Sequence, residues 1–297
     1  MGTNRVVHSH ELQSGASGEL LRFSRQEAGW EWMGFCVRRL APGETWQQQR
    51  SGEESVYVLL SGKCTAEWDG QKQQIGERNS VFDGLPYALY ASQGTQVRFE
   101  ALTTCEIAEC NVPSQGNFTS RLVTPKDVVV SLRGGGNASR QIVDIMRPDF
   151  PADRLIVVEV YTPGGNWSSY PPHKHDVHKP PVEVDLDEIY YYRMNRLGAF
   201  AHQRLYSSDG QRDSVVTVHN GDAVLVHEGY HPVVAGPGYD TYYLNFIAGS
   251  ARSLAITEDP IHTWIRSSWK DVTRVCPWFA EPPERGERAV ATELLSP

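Results

Sequence analysis

The run Tyr170-Pro-Pro-His-Lys-His-Asp176 holds two histidines separated by one residue. On an extended strand, residues two apart project to the same face, so His173 and His175 can reach one ion together. Neutral imidazole nitrogens suit zinc, iron, manganese, nickel or copper. Two nitrogens do not complete a site, and an isolated pair is a weak motif. Further donors stand downstream. Glu188 precedes the aromatic run Ile189-Tyr-Tyr-Tyr192, and His231 follows Gly221-Asp-Ala-Val-Leu-Val-His-Glu-Gly-Tyr, a strand leading into a tight turn. Glu183 competes with Glu188 but lies in a loop just after Pro180 and Pro181, whereas Glu188 begins a strand. His8 and His10 form a second such pair near the N-terminus, without companion ligands. His178, His202, His219 and His262 lack supporting spacing, and His227, which shares strand parity with His231, is read as solvent-facing or packing.

These donors need a framework of strands. Runs rich in β-branched and aromatic residues recur at Trp32–Leu40, Ser55–Leu60, Val97–Leu102, Leu155–Tyr161, Ile189–Met194, Ala199–Tyr206, Ala223–His227 and Thr241–Ile247, with Gly, Pro, Asn and Asp between them. Such spacing indicates an all-β sandwich or barrel. The one helical expectation is a short turn near Pro260–Trp269. Of the 297 residues 40% are hydrophobic and 22% charged, which is globular composition and leaves room for two domains.

Several function classes fall away. No apolar stretch approaches the roughly 20 residues that span a bilayer, and the N-terminus has no apolar secretory core. A net charge of −8 with dispersed Lys and Arg argues against nucleic acid. Five scattered cysteines, Cys36, Cys64, Cys105, Cys110 and Cys276, have no CxxC spacing and read as reduced thiols of a cytoplasmic protein.

An internal repeat organises the chain. Leu40-Ala-Pro-Gly-Glu-Thr-Trp46 resembles Tyr161-Thr-Pro-Gly-Gly-Asn-Trp167, and Gly76 and Gly84 are spaced like Gly221 and Gly229. A boundary is expected in the Gly-rich stretch from Ser131 to Ser139, giving domains 1–130 and 131–297. Counting from Trp46 and Trp167 sets Gly52 and Glu54 opposite His173 and His175, and Pro86 opposite His231. The first half is therefore expected to bind no metal and to serve in packing, against its sister or a neighbouring subunit.

The order HxH, Glu, Gly…Gly-x-His and a later Asn245 resembles the two cupin motifs. That resemblance implies two tandem cupin barrels (double-stranded β-helix or jelly-roll, a bicupin) with His173, His175, Glu188 and His231 holding one divalent transition metal. Zinc is the first expectation, with manganese, iron or nickel as alternatives. A narrower likeness runs through Ser168-Ser-Tyr-Pro-Pro-His-Lys-His-Asp176, Gln203-Arg204, Gly229-Tyr-His-Pro-Val233, Gly238-Tyr-Asp-Thr-Tyr-Tyr-Leu-Asn245, Asp259-Pro-Ile-His-Thr-Trp264 and Ser80-Val-Phe-Asp-Gly-Leu-Pro-Tyr87. Together these segments resemble the 5-deoxy-glucuronate isomerases of bacterial myo-inositol catabolism. His227, where Pro is expected, and the 182–187 linker depart from that pattern and bear on the pocket mouth.

The resemblance implies conversion of 5-deoxy-D-glucuronate to 5-dehydro-2-deoxy-D-gluconate, an aldose–ketose isomerisation suited to a Lewis-acidic ion. Its partner would be a small sugar acid, with no nucleic acid or membrane, and the chain is expected to form a homo-oligomer. Strand alternation turns Tyr190 and Tyr192 to the same face as Glu188, where either can orient substrate or relay a proton. For the substrate carboxylate Arg204 is the first candidate, with Gln203 beside it and Arg193 and Lys174 behind, because a planar guanidinium pairs bidentately. Cupins also include dioxygenases and non-catalytic sugar binders, and the 4-deoxy-5-ketouronate isomerases are neighbours in chemistry.

Overall fold

The strand Leu186–Met194 shows how the sequence builds the molecule. Its side chains alternate between two faces, and nearly all of them are buried. Glu188, Tyr190 and Tyr192 turn one way. Ile189 and Tyr191 turn the other and join a different apolar cluster. A strand buried on both faces must lie between two packed layers.

The computed structural model describes residues 5–9 and 17–269. His10 and Cys276 lie outside the described residues. A seven-stranded antiparallel sheet runs in the order Arg5–Val7, Ala223–Val226, Leu186–Met194, Thr241–Gly249, Ile156–Thr162, Arg140–Met146 and Val129–Arg133. A six-stranded sheet runs Arg121–Val123, Tyr87–Ala91, Glu53–Ser61, Cys105–Pro113, Gly34–Leu40 and Gly18–Phe23. Each is completed by a four-stranded sheet. The first half adds Thr45–Gln49, Gln96–Ala101, Cys64–Trp68 and Gln71–Ile75, and the second adds Trp167–Ser168, Val233–Ala235, Ala201–Tyr206 and Asp213–Val218. The fold is all-β, and the helical expectation near residue 260 becomes the 3-10 turn Thr263–Trp269.

One cluster fills the inside of each small-and-large sheet pair, and a third joins the outer faces of the two large sheets. At that joint the Phe35 ring lies 5.6 Å from Tyr191 and 5.5 Å from Phe246. Polar ties cross it too. Arg78 holds Glu159 at 2.7 Å, and Tyr242 and Tyr161 donate to the same carboxylate at 2.8 and 2.9 Å. Every oxygen of this buried group is thus engaged, the condition under which a buried ion pair is tolerated. The strand Arg5–Val7 is exceptional, since it adds to the second half's sheet beside Ala223–Val226.

The repeat is visible in the registers. Ser55 pairs with Ala91 and Tyr57 with Leu89, just as Glu188 pairs with Val226 and Tyr190 with Val224. Ser55 therefore stands where Glu188 stands. This corrects the place expected for Glu54, which counting from Trp46 had set opposite His175. Glu54 faces the other way, toward the joint, where it accepts the backbone N–H groups of Asp153, Arg154 and Leu155 at 2.7–2.9 Å and the Tyr90 hydroxyl at 2.8 Å. Counting residues across loops of unequal length set it against the wrong strand, since Glu54 lies on the counterpart of the Glu188 strand. It misplaced Pro86 likewise, which precedes Tyr87–Ala91 whereas His231 follows Ala223–Val226.

Candidate metal centre

His173 lies on the short strand His173–Lys174, which pairs with Thr257–Glu258. His175 follows with the same parity. The third imidazole arrives through the turn after Ala223–Val226. There Gly229 adopts φ +79°, and a Cβ on it would stand 2.4 Å from the Tyr206 carbonyl oxygen, so only glycine fits. Two residues on, His231 is completely buried. One nitrogen each from His173, His175 and His231 fall within 4.8 Å of one another. Glu188 Oε2 joins them, 3.0 Å from His175 Nε2 and 3.3 Å from His231 Nε2.

Outer hydrogen bonds orient the rings. His175 Nδ1 is 2.8 Å from the Leu186 carbonyl oxygen, and His231 Nδ1 is 2.9 Å from that of Gly229. A carbonyl only accepts, so each Nδ1 carries the proton, and the Nε2 lone pair of the neutral ring turns inward. His231 Nε2 is a buried nitrogen without a hydrogen-bond partner. Inward lone pairs and a carboxylate oxygen repel one another unless a cation stands among them, so this donor set fits a metal ion. The protonation tendencies agree with that role for His173 and Glu188. At His175 burial acts to lower the pKa, and the Glu188 carboxylate outweighs it and raises it. Burial, reinforced by His231 and His175, holds His173 well below the ordinary imidazole value. Burial acts to raise Glu188, but the facing His175 and His231 outweigh it and hold the carboxyl at about 2. Neutral imidazole and ionised carboxylate are the ligating forms.

Glu183, the competing carboxylate, is occupied elsewhere. It accepts Lys174 Nζ at 2.8 Å and the N–H groups of Asp176 and Val177 at 2.9 Å, which fastens the loop after the histidine pair. His227 binds Asp187 at 2.6 Å on the face opposite Glu188, and His8 meets Asp222 at 3.1 Å near the surface.

The tyrosines expected inside the barrel are there. Tyr190 lies 5.7 Å from the His231 ring, with its hydroxyl 3.0 Å from Ser169 Oγ. Tyr192 donates to Gln203 Oε1 at 2.9 Å, and Gln203 Nε2 donates to the His231 carbonyl at 3.2 Å. Burial raises both phenols well above their usual value, so they hold their protons. Gln203 thus supports the backbone of a candidate ligand.

The basic residues expected at the carboxylate are placed otherwise, and strand parity is the reason. Lys174 points away from its flanking histidines toward Asp176 and Glu183. Arg193 lies on the outer face of its strand and pairs with Glu106 of the first half. Arg204 is 39% exposed and bound to Asp213 at 2.7 Å, on the opposite side of its strand from Gln203. The inward groups that sequence reasoning missed are Ser169, Tyr243 and Arg140. For Arg140 a signal existed, because it shares parity with the apolar Ile142 on one strand.

Comparison with known proteins places this geometry. The model of the KduI/IolB family matches residues 6–265. A protein of Geobacillus thermodenitrificans (strain NG80-2) named 5-deoxy-glucuronate isomerase is 42% identical over 265 residues, covering 89% of this chain and 96% of the relative. Its namesake in Bacillus subtilis (strain 168) is 35% identical over 264 residues, covering 88% and 97%. The crystal structure of an IolB-like protein from Salmonella typhimurium LT2 superposes with a TM-score of 0.84 at 37% identity, covering 88% of this chain and 98% of that one. Bacillus subtilis oxalate decarboxylase, 13% identical with a TM-score of 0.56 over 86% of this chain and 77% of its own, shares the cupin fold alone. With the match running from residue 6 to residue 265, through both halves, the chain belongs to the KduI/IolB family.

Proposed function

We propose that this chain is a 5-deoxy-glucuronate isomerase, an aldose–ketose isomerase converting 5-deoxy-D-glucuronate to 5-dehydro-2-deoxy-D-gluconate in myo-inositol degradation. The observation that carries the reading is the convergence of His173, His175, His231 and Glu188 inside the barrel of a chain 42% identical to a protein of that name. In this reading those four residues hold one divalent ion. Zinc suits three imidazoles and one carboxylate with room for coordination to expand, and manganese, iron and nickel are the competitors. When bound, the ion supplies Lewis acidity at the aldehyde and its neighbouring hydroxyl.

The chain's own groups supply the rest. Tyr190 and Ser169 present hydroxyls beside His231 and can donate to substrate oxygens without surrendering a proton to solvent. Tyr192 and Gln203 hold the His231 segment in position. The apolar wall formed by Val158, Val160 and Ile247 limits water around the reacting carbons. In the same reading the first half, expected at 1–130, is a metal-free barrel and the second, expected at 131–297, the metal-binding one. Arg5–Val7 and Val129–Arg133 are both contributed to the second half's sheet. Among the described residues, four buried cysteines outside any disulfide fit a cytoplasmic enzyme acting on a small sugar acid. Exposed Ile261, Trp264 and Val182 provide apolar surface that a homo-oligomer would cover.

The test is incubation of the metal-replete protein with 5-deoxy-glucuronate, with the product followed by NMR. Formation of the keto acid without oxygen uptake is expected. Oxygen consumption on this or a related acid, with no isomer formed, would replace the reading with a dioxygenase.

A further inference from the structure

With three basic candidates turned away from the donor set, the barrel still needs a group for the far end of an acid substrate. Arg140 opens the strand Arg140–Met146. Ile142, two residues on, belongs to the cluster inside the second barrel with Tyr190, Tyr192 and Tyr243, whereas Val143 belongs to the joint between the halves. Alternation therefore turns Arg140 inward, one row beyond Ile142, which pairs with Val160, which in turn pairs with Tyr243. Its charge acts on Tyr243 and His173, and Tyr190 acts on it, so the guanidinium stands near the side of the barrel that carries the donors.

The local backbone makes room for it. Gly134 adopts φ +79°, and a Cβ there would stand 2.6 Å from Arg140 Nη1. The same nitrogen donates to the Ala138 carbonyl at 3.1 Å, the guanidinium's one hydrogen bond among the described residues. The neighbouring arginines are neutralised: Arg133 lies 3.6 Å from Asp144, and Arg266 pairs with Glu258. Among the described residues no carboxylate lies within ion-pairing distance of Arg140. A recessed cation without a counter-ion is unfavourable, and burial accordingly pulls its pKa down to about 10. An anion arriving beside it would relieve that cost.

We infer that Arg140 receives the carboxylate of the substrate, fixing the far end of the sugar acid while the aldehyde end faces His173, His175, Glu188 and His231. The identity of the ligand rests on the isomerase reading, but the anion-binding role does not depend on turnover. A guanidinium at this place sets specificity for an acid over a neutral sugar of the same length, because its fork matches two carboxylate oxygens.

The test uses the full-length, zinc-loaded chain and an inert ligand, the substrate with its aldehyde reduced to a hydroxymethyl group, as the acid and as the neutral carboxamide. Calorimetry should show that Arg140→Met weakens the acid by on the order of 10- to 100-fold, the range for a lost charge-assisted pair. Carboxamide binding should stay within about threefold, and Arg140→Lys should recover part of the acid's affinity. Zinc content measured by mass spectrometry should be unchanged in both variants. Equal losses for acid and carboxamide would reduce Arg140 to a structural residue and overturn the inference, as would unchanged acid binding or no acid binding by the parent chain. Arg140-dependent acid binding without isomerisation would leave the anchor standing and remove the proposed reaction instead.

Discussion

Glu188 Oε2 stands 3.0 Å from His175 Nε2, while His175 is held from behind by the Leu186 carbonyl at 2.8 Å. Carboxylate and imidazole are thus fixed in ligating orientation by the backbone of the strand that carries Glu188. The chain should purify with about one transition metal, the stoichiometry of a single donor set. His173→Ala or His231→Ala should lose metal and activity together. Elemental analysis of the His173→Ala, His175→Ala double variant checks this, and full occupancy there would sink the assignment.

Tyr192 and Gln203 yield a different expectation. Tyr192→Phe removes the donor to Gln203 Oε1 and leaves a buried acceptor unpaired, which costs about 1–3 kcal/mol. A lower Tm with metal content retained is the expected outcome. Tyr190→Phe should lower kcat more than it raises KM if the hydroxyl meets the substrate mainly in the transition state.

Glu54 ties the halves through three backbone N–H groups and one hydroxyl. Glu54→Ala should destabilise the protein by at least about 3 kcal/mol, since several buried donors lose their partner at once. The folded fraction should keep its full metal content. Denaturant titration beside elemental analysis separates the two effects, and loss of metal from folded protein would place Glu54 in a site we do not assign to it. Expressing residues 131–297 alone should give aggregated protein, because Tyr191, Leu244 and Phe246 would face water.

The Glu106–Arg193 pair across the joint sets a pH dependence. Burial acts to raise Glu106, but Arg193 and Arg39 outweigh it and lower its pKa from the usual 4.5. A carboxyl lowered on folding contributes stability that is present above its unfolded value and lost as pH falls through its folded value. Glu106→Gln should therefore lower Tm at pH 7, with the difference from the parent shrinking below about pH 4.5. A difference that persists undiminished in acid would assign the effect to packing.

Hydrogen transfer between the two reacting carbons is open to isotopic test. Reaction in deuterated water should place deuterium on the former aldehyde carbon if a base relays the proton through an enediolate, and none if hydride moves directly. Arg204→Ala serves as a control. An exposed pair such as Arg204–Asp213 is worth about 0–1 kcal/mol, so stability and KM should barely change.

The sequence announced the strands and the donor set because both depend on local pattern. Alternation between polar and apolar residues put His173 and His175 on one face and Tyr190 and Tyr192 with Glu188, and the barrel kept those parities. It failed for Arg204, Arg193 and Lys174 because their residue type was weighed above the parity that turns each one away. Arg140 escaped notice for a related reason. It lies about thirty residues before the histidine pair, and only the pairing of Arg140–Met146 with Ile156–Thr162 brings it to the same barrel. Glu54 shows a third kind of loss: counted against His175, it lies instead on the counterpart of the Glu188 strand and faces the joint.

The pairing of Arg5–Val7 with Ala223–Val226 has a consequence for the order in which the molecule is made. The ribosome releases residues 5–7 well before their partner, which emerges on the order of tens of seconds later. Until then the first strand has no edge to join, whatever the first barrel has done around it. It closes over the strand beside Glu188 only when the second barrel exists, so Arg5–Val7 acts as a late clasp. A bulky group attached just before Arg5 would therefore burden the second half of the protein rather than the first.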